Sequence, residues 1–336
     1  MLVDGGIGSD LAKAAKAAKG QEELGFDGLW AAETNHDPFL ALTLAAEHTE
    51  RIQLGTGIAV AFARSPMTLA TTAYNLNAFA EGRLLLGLGS QIKAHITRRF
   101  AMPWSHPAPR MREFIEAMHA IWDCWEHGTK LDFRGEFYEH TLMTPFFDPG
   151  PNPHGAPKVF LAAVGELMTQ VAGEVADGML CHGFTTESYL REVTIPNIAK
   201  GLDARGRTRA DIELSLPAFI VTGSTEEAMA AAATGVRQQI AFYGSTPAYR
   251  GVLEHHGWGE LQTELNALSK QGEWVEMGKR IDDDMLATFA VVAEPDQVAA
   301  GLLERFGDVV DRLSFYVPYQ AEADLFAATV EQLKSA

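Results

Sequence analysis

Short apolar runs alternate along the chain with longer stretches whose apolar residues recur at helical spacing. Segments 2–7, 27–32, 52–60, 84–88, 159–163, 178–181, 212–221 and 312–317 read as strands. Segments 10–24, 38–49, 65–79, 110–126, 166–175, 189–204, 225–242, 295–306 and 323–333 read as helices. The punctuation agrees with the pattern. Gly25 stops the first helix, Asp37 stands as N-cap before Pro38, and Ser65-Pro66 opens the next helix. The fourth strand is apolar throughout, as expected of a strand buried on both faces. Pro217 falls inside the seventh and predicts a bulge or a bend there.

Two segments break the rhythm. Residues 90–109 are irregular and carry Trp104, prolines and several cations, and residues 246–285 form a second, mostly helical insertion. Residues 135–152, rich in Pro and Phe, read as a long surface connection. Eight strand-then-helix units of about 30 residues imply parallel strands, and eight such units close into an α/β fold of the (β/α)8 TIM-barrel type. An open doubly wound sheet is the alternative. It calls for a glycine fingerprint after the first strand, where the chain has Gly5-Gly6-Ile7-Gly8 with the wrong spacing. The pair Gly87-Leu88-Gly89 lacks a third glycine. No Ser/Gly tract divides the chain, so residues 1–336 read as one domain.

Composition narrows the function. The chain has 44 acidic and 27 basic residues, a formal net charge of -17, and such an excess of acid repels nucleic acid and anionic membrane. Neither is an expected partner; a small-molecule substrate is. The two cysteines, Cys124 and Cys181, form no disulfide framework, and no His or Cys spacing suggests a metal. No G-x-S-x-G elbow supplies a hydrolase nucleophile. With no apolar run long enough to span a bilayer and no signal-peptide pattern, a cytoplasmic location is expected.

A barrel gathers its chemistry at the C-terminal ends of its strands. After the second strand come Glu33, Asn35, His36 and Asp37, which can cap the next helix or present His36 to the mouth for proton exchange. After the fifth, Val164-Gly165 leads at once into a helix whose free N–H groups can cradle a phosphate. After the sixth, His182-Gly183-Phe184-Thr185-Thr186 offers hydroxyls and a second helix start. Lys93, His95, Arg98 and Arg99 form a cationic run after the fourth strand, either a solvated surface or a clamp for an anionic substrate or cofactor tail.

Several stretches together resemble a known family. Arg51 through Ile58 with Arg64-Ser65-Pro66, Gly82 through Ser90, Pro157 through Gly165 with Ala176-Asp177-Gly178, and Leu24 through Trp30 are similar to the bacterial luciferase-like flavin and deazaflavin oxidoreductases. The run Gln91 through Phe100, with Met102 through Pro107, resembles the actinobacterial coenzyme F420-dependent subgroup. The resemblance implies a ring resting on a bulge of the third strand, with a non-prolyl cis peptide at Gly57–Ile58 and Ala59 beside it. It implies that Gly89, Ser90 and Gln91 adjoin the ring. The phosphate falls to Ala163, Val164, Gly165 and His182 through Thr185. His36 takes the position of a base or proton relay, with Asn35 orienting it or touching the ring. Lys93, His95 and Arg98 are left for substrate or cofactor tail, and a homodimer is implied.

The chain also departs from a sugar-phosphate-oxidising relative, whose catalytic Glu after the fourth strand is replaced by Ile92, and whose Trp partner of the His is missing. The function implied is F420-dependent hydride transfer to or from a small organic substrate. The alternatives are an FMN-dependent monooxygenase on the same barrel and a barrel that binds cofactor without turnover.

Overall fold

The computed structural model describes residues 1–8, 10–321 and 325–335. Eight parallel strands close a barrel: β1 (Leu2–Ile7), β2 (Gly28–Ala31), β3 (Gln53–Thr56), β4 (Leu84–Gly89), β5 (Lys158–Ala163), β6 (Gly178–Cys181), β7 (Glu213–Val221) and β8 (Arg312–Tyr316). Each pairs with its sequence neighbour, and β8 returns to β1 through Leu2–Arg312, Val3–Leu313 and Asp4–Ser314. A two-residue strand, Ala59–Val60, carries the line of β3 onward against Leu88 and Gly89. A further short strand, Ala290–Val292, pairs with the end of β7. The fold is a (β/α)8 TIM barrel.

Local chemistry sets the element ends. Helix α1 (Leu11–Glu23) starts where Asp10 accepts from the Ala12 N–H, and the chain turns away through Gly25 at φ 86°. Asp37 caps α2 (Pro38–His48), and Ser65 caps α3 (Pro66–Phe79). The last helix of the barrel is Ala327–Ser335; its expected start at Ala323 lies outside the described residues. Pro217 does not break β7. Pairing with β6 ends at Ser215, so at Pro217 only β8 lies alongside, and the one-to-one register with β8 continues through Ser314 without a bulge.

The two irregular segments have more order than their composition predicts. Residues 90–109 contain a π-helical turn, His95–Arg99, before α4 (Pro107–His127). Residues 135–152 include one arm of a small hairpin pairing Phe133–Arg134 with Glu139–His140. The second insertion is helical, as expected, through Arg250–His255, Gly259–Gln271, Trp274–Gly278 and Asp283–Phe289. It buries a hydrophobic cluster of its own, with Leu253, Leu265, Met277 and Phe289 packed on Phe219 of β7 and on helix Glu226–Gly244. That cluster holds the insertion over one side of the barrel mouth. Among the described residues no helix is long and apolar enough to cross a membrane.

Candidate active site

The barrel opens into a cavity of about 1100 Å³ that reaches from the buried pair Asp4–Arg312 to the loops after the strands. Its inner wall follows from glycines. A Cβ at Gly55 would fall 2.3 Å from the Trp30 ring and one at Gly57 3.3 Å from the Trp30 Cβ, so the glycine-rich third strand makes room for that indole. Trp30 Nε1 donates to Asp4 Oδ2 at 2.8 Å, which fixes the ring in the wall. The Gly57–Ile58 peptide is cis, at the bond named from the resemblance, and both residues line the cavity.

Glu33 holds the chain just past that bond. Its carboxylate accepts from the Val60 N–H at 2.8 Å and from Arg64 at 2.7 Å, and its own N–H donates to the Ile58 carbonyl. On the neighbouring strand a Cβ at Gly89 would meet Ile58 Cδ1 at 2.8 Å, so glycine is needed where β4 lies beside the bulge. Ser90, Gln91 and Lys93 follow into the lining, with Gln91 in the left-handed region at φ 59°.

Across the mouth, Ala163, Val164 and Gly165 lead into α5 (Glu166–Val175). Gly165 is the N-cap and no side chain caps the helix, so its first N–H groups remain free for an anion. A Cβ at Gly165 would touch nothing within 4 Å, which leaves open space in front of those amides. Glu166 is exposed and stays out of the lining. Free amides, glycine walls and a deep cavity fit a flat ring with a phosphate-bearing tail.

The structure does not bring every expected residue into this cavity. His36 and Asn35 are exposed on the loop after β2 and do not line it. The loop is turned outward by its caps: Asp37 is spent on the Phe39 N–H and on Arg64, and the Thr34 carbonyl accepts from Arg99. His95 and Arg98 are likewise exposed on the π-helical turn, leaving Lys93 as the member of that run in the lining. Ala59 is buried in the sheet against Leu88.

Phe184 is drawn into the insertion's core, stacked on Phe289 at 4.7 Å. Thr185 also stands off the lining, and the second helix start is closed by Thr186, which accepts from the Tyr189 N–H. Of the residues expected to hold a phosphate, the lining keeps Ala163, Val164, Gly165, His182 and Gly183.

Sequence reasoning missed an aromatic group opposite the glycines. His182 Nδ1 accepts from the Phe184 N–H at 3.0 Å, its Nε2 lies 3.1 Å from the Tyr249 hydroxyl, and the two rings stack at 4.5 Å. Tyr243 and Tyr316 join hydroxyls at 2.6 Å, and all four residues line the cavity. Burial lowers the His182 imidazole to about 4 and pushes the Tyr249 phenol up to about 12. Burial, with the hydroxyl of Tyr243 next, also raises Tyr316. At neutral pH His182, Tyr249 and Tyr316 are uncharged. Tyr316 and Val317 stand at the end of β8, where the strand-end rule would have found them. Tyr249 comes from the insertion, and nothing in its sequence marks it.

The family model described as luciferase-like monooxygenase matches residues 2–312. The chain belongs to that family. A Mycobacterium tuberculosis protein (strain ATCC 25618 / H37Rv), described as uncharacterized, is 56% identical over 313 residues, covering 93% of this chain and 92% of that one. The 5,10-methylenetetrahydromethanopterin reductase of Archaeoglobus fulgidus is 29% identical over 285 residues, covering 82% of this chain and 81% of the reductase. Among solved structures, the coenzyme F420 dependent tetrahydromethanopterin reductase from Methanopyrus kandleri superposes with a TM-score of 0.77 at 22% identity, covering 99% of this chain and 98% of that one. Luciferase-like proteins of this kind are oxidoreductases and monooxygenases, and this chain shares their barrel.

Proposed function

We propose that the protein is a coenzyme F420-dependent oxidoreductase that transfers a hydride between the deazaflavin and a small, uncharged organic substrate. The observation that carries this reading is the shared cavity. The glycine-rich wall at Gly57, Ile58 and Gly89, the uncapped helix start at Gly165 and the residue Lys93 all line it. A ring against the first, a phosphate on the second and an acidic tail toward the third match the chemistry of each feature. The similarity to reductases of archaeal origin supports the deazaflavin over a flavin.

When bound, such a cofactor supplies or accepts a hydride. The chain does the rest. Glu33 and Arg64 keep the wall at Ile58 in place, and Trp30 backs it. The amides at Gly165 hold the anion without a formal positive charge. The apolar lining, with Ile92, Trp104 and Met168, excludes water from the reacting face. Ile92 offers no proton. The cavity's carboxylate among the described lining residues, Asp4, is committed to Arg312 and Trp30.

The test is equilibrium binding of F420 and of FMN to cofactor-free protein. Saturable F420 binding that is much tighter than FMN binding is expected. Tight FMN binding without affinity for F420 would move the chain to the monooxygenase reading. Bound cofactor whose absorbance no substrate ever changes would favour a barrel without turnover.

A further inference from the structure

With Asp4 committed and Ile92 apolar, the proton that accompanies a hydride must come from elsewhere in the wall, and the hydroxyl of Tyr249 is placed to supply it. His182 sets the orientation of that hydroxyl. Its Nδ1 is occupied as the acceptor of the Phe184 N–H at 3.0 Å. A backbone amide has no other role to take there, so Nδ1 carries no proton. The single proton of the neutral ring is then on Nε2, the atom that faces the Tyr249 oxygen at 3.1 Å. A protonated Nε2 cannot accept. Tyr249 Oη therefore receives a hydrogen bond from His182 and keeps its own hydrogen free. The stacked imidazole on one side and the edge of Tyr243, 5.9 Å away between ring centroids, fix the phenol in the lining.

We propose that Tyr249, oriented by His182, donates its hydroxyl hydrogen to the oxygen of a neutral carbonyl substrate, and that the substrate class is a ketone or aldehyde and its alcohol. This rests on the hydride-transfer reading given above and adds the substrate's functional group to it. The carbonyl carbon takes the hydride from the reduced cofactor. The π pair of the C=O bond moves to oxygen, and that oxygen takes the Tyr249 proton to give the alcohol. The phenolate left behind faces the Nε2–H of His182 and regains a proton from water. The reverse reaction runs the same steps backward. Tyr249 is the catalytic residue and His182 the positioning residue. The aromatic wall of Tyr243, Tyr249 and Tyr316, without a free charge, selects an uncharged body over a carboxylate or phosphate ester.

The experiment uses acetophenone labelled with ¹³C at the carbonyl, bound to the full chain loaded with oxidised cofactor, so that no hydride can move. A downfield shift of the bound carbonyl resonance in the wild type is expected, because a hydroxyl donor polarises the C=O bond. Tyr249→Phe should still bind the ketone with the carbonyl resonance back at its unpolarised position. His182→Leu should lose at least half the shift, since the phenol is no longer held.

With reduced cofactor, kcat for ketone reduction should fall about 100-fold in Tyr249→Phe while cofactor affinity changes less than about twofold. An equal carbonyl shift in wild type and Tyr249→Phe overturns the proposal. So does an unchanged kcat in Tyr249→Phe, or loss of turnover in His36→Ala alone. Absence of ketone binding in protein that binds F420 overturns the substrate class. If the protein binds only FMN, the cofactor reading fails by itself, and the carbonyl shift in FMN-loaded protein still decides for or against Tyr249.

Discussion

Replacing Asp4 by Ala tests whether the floor of the cavity is held by one buried ion pair. Both side chains of the Asp4–Arg312 pair are fully buried. Arg312 Nε donates to Asp4 Oδ2 at 2.8 Å and its Nη2 to Oδ1 at 2.7 Å, a two-pronged pairing, and Trp30 Nε1 adds a third bond to the same carboxylate. Gly28 leaves the room for it, since a Cβ there would fall 2.5 Å from Asp4 Oδ1.

Removing one member of a buried pair costs about 3–5 kcal/mol, because the other charge stays behind. Arg312 would keep Gln53 Oε1 at 2.7 Å and Glu213 Oε2 at 3.3 Å, which puts the charge term toward the low end. The orphaned indole N–H adds about 1–3 kcal/mol. We therefore expect a loss of about 4 kcal/mol. At about 2.1 cal/mol/K per residue over 336 residues, that is a fall in Tm of about 6 °C. Urea unfolding followed by circular dichroism measures the first figure and calorimetry the second. The double change Asp4→Leu with Arg312→Met should recover most of the loss, since no charge is then stranded. A single-variant loss below about 1 kcal/mol, or a double variant no better than the single one, would refute the reasoning.

Gly165→Asp should separate fold from function: the new carboxylate can cap α5 and leave stability unchanged or slightly higher, yet it faces the anion, so titration should show cofactor affinity at least ~10-fold weaker. Gly87→Ala places a Cβ 1.9 Å from the Thr56 carbonyl oxygen, fixed backbone, and should cost about 1–3 kcal/mol or more in denaturant unfolding; Gly89→Ala meets a side chain, Ile58 at Cδ1 and Cγ1, rather than backbone, and should cost less. His182 is held neutral in the fold down to about pH 4, below its unfolded value near 6.5. Between those values the unfolded state binds the extra proton, so its contribution to stability is complete above about pH 6.5 and is lost as pH falls toward 4; His182→Gln should flatten that part of the stability–pH curve. Cys181 lines the cavity but burial lifts its thiol to about 12, so it should resist alkylation at pH 8 in the folded protein.

What the sequence determined by itself is local or periodic. Apolar period and caps at Asp10, Asp37 and Ser65 set the strand-and-helix order, and that order leaves a closed parallel barrel as its natural outcome. Gly57 and Gly89 are named only through the family resemblance, because what makes glycine necessary there, Trp30 beside the first and Ile58 beside the second, comes from other strands. Gly165, by contrast, is legible in the chain itself, where a strand runs directly into a helix.

Side-chain direction was not legible in that way. His36 and Phe184 sit at strand ends like the rest, but Asp37, Arg64 and Arg99 tie the first loop outward, and the insertion's core draws the phenylalanine away. Tyr249 reaches the cavity because a cluster around Leu253, Leu265 and Phe289 seats the insertion beside β7, a contact between residues far apart in sequence. Its hydrogen is free only because a backbone amide two residues past His182 chooses the imidazole's tautomer. Such facts depend on which groups meet after the chain has closed, and no periodicity or spacing encodes them.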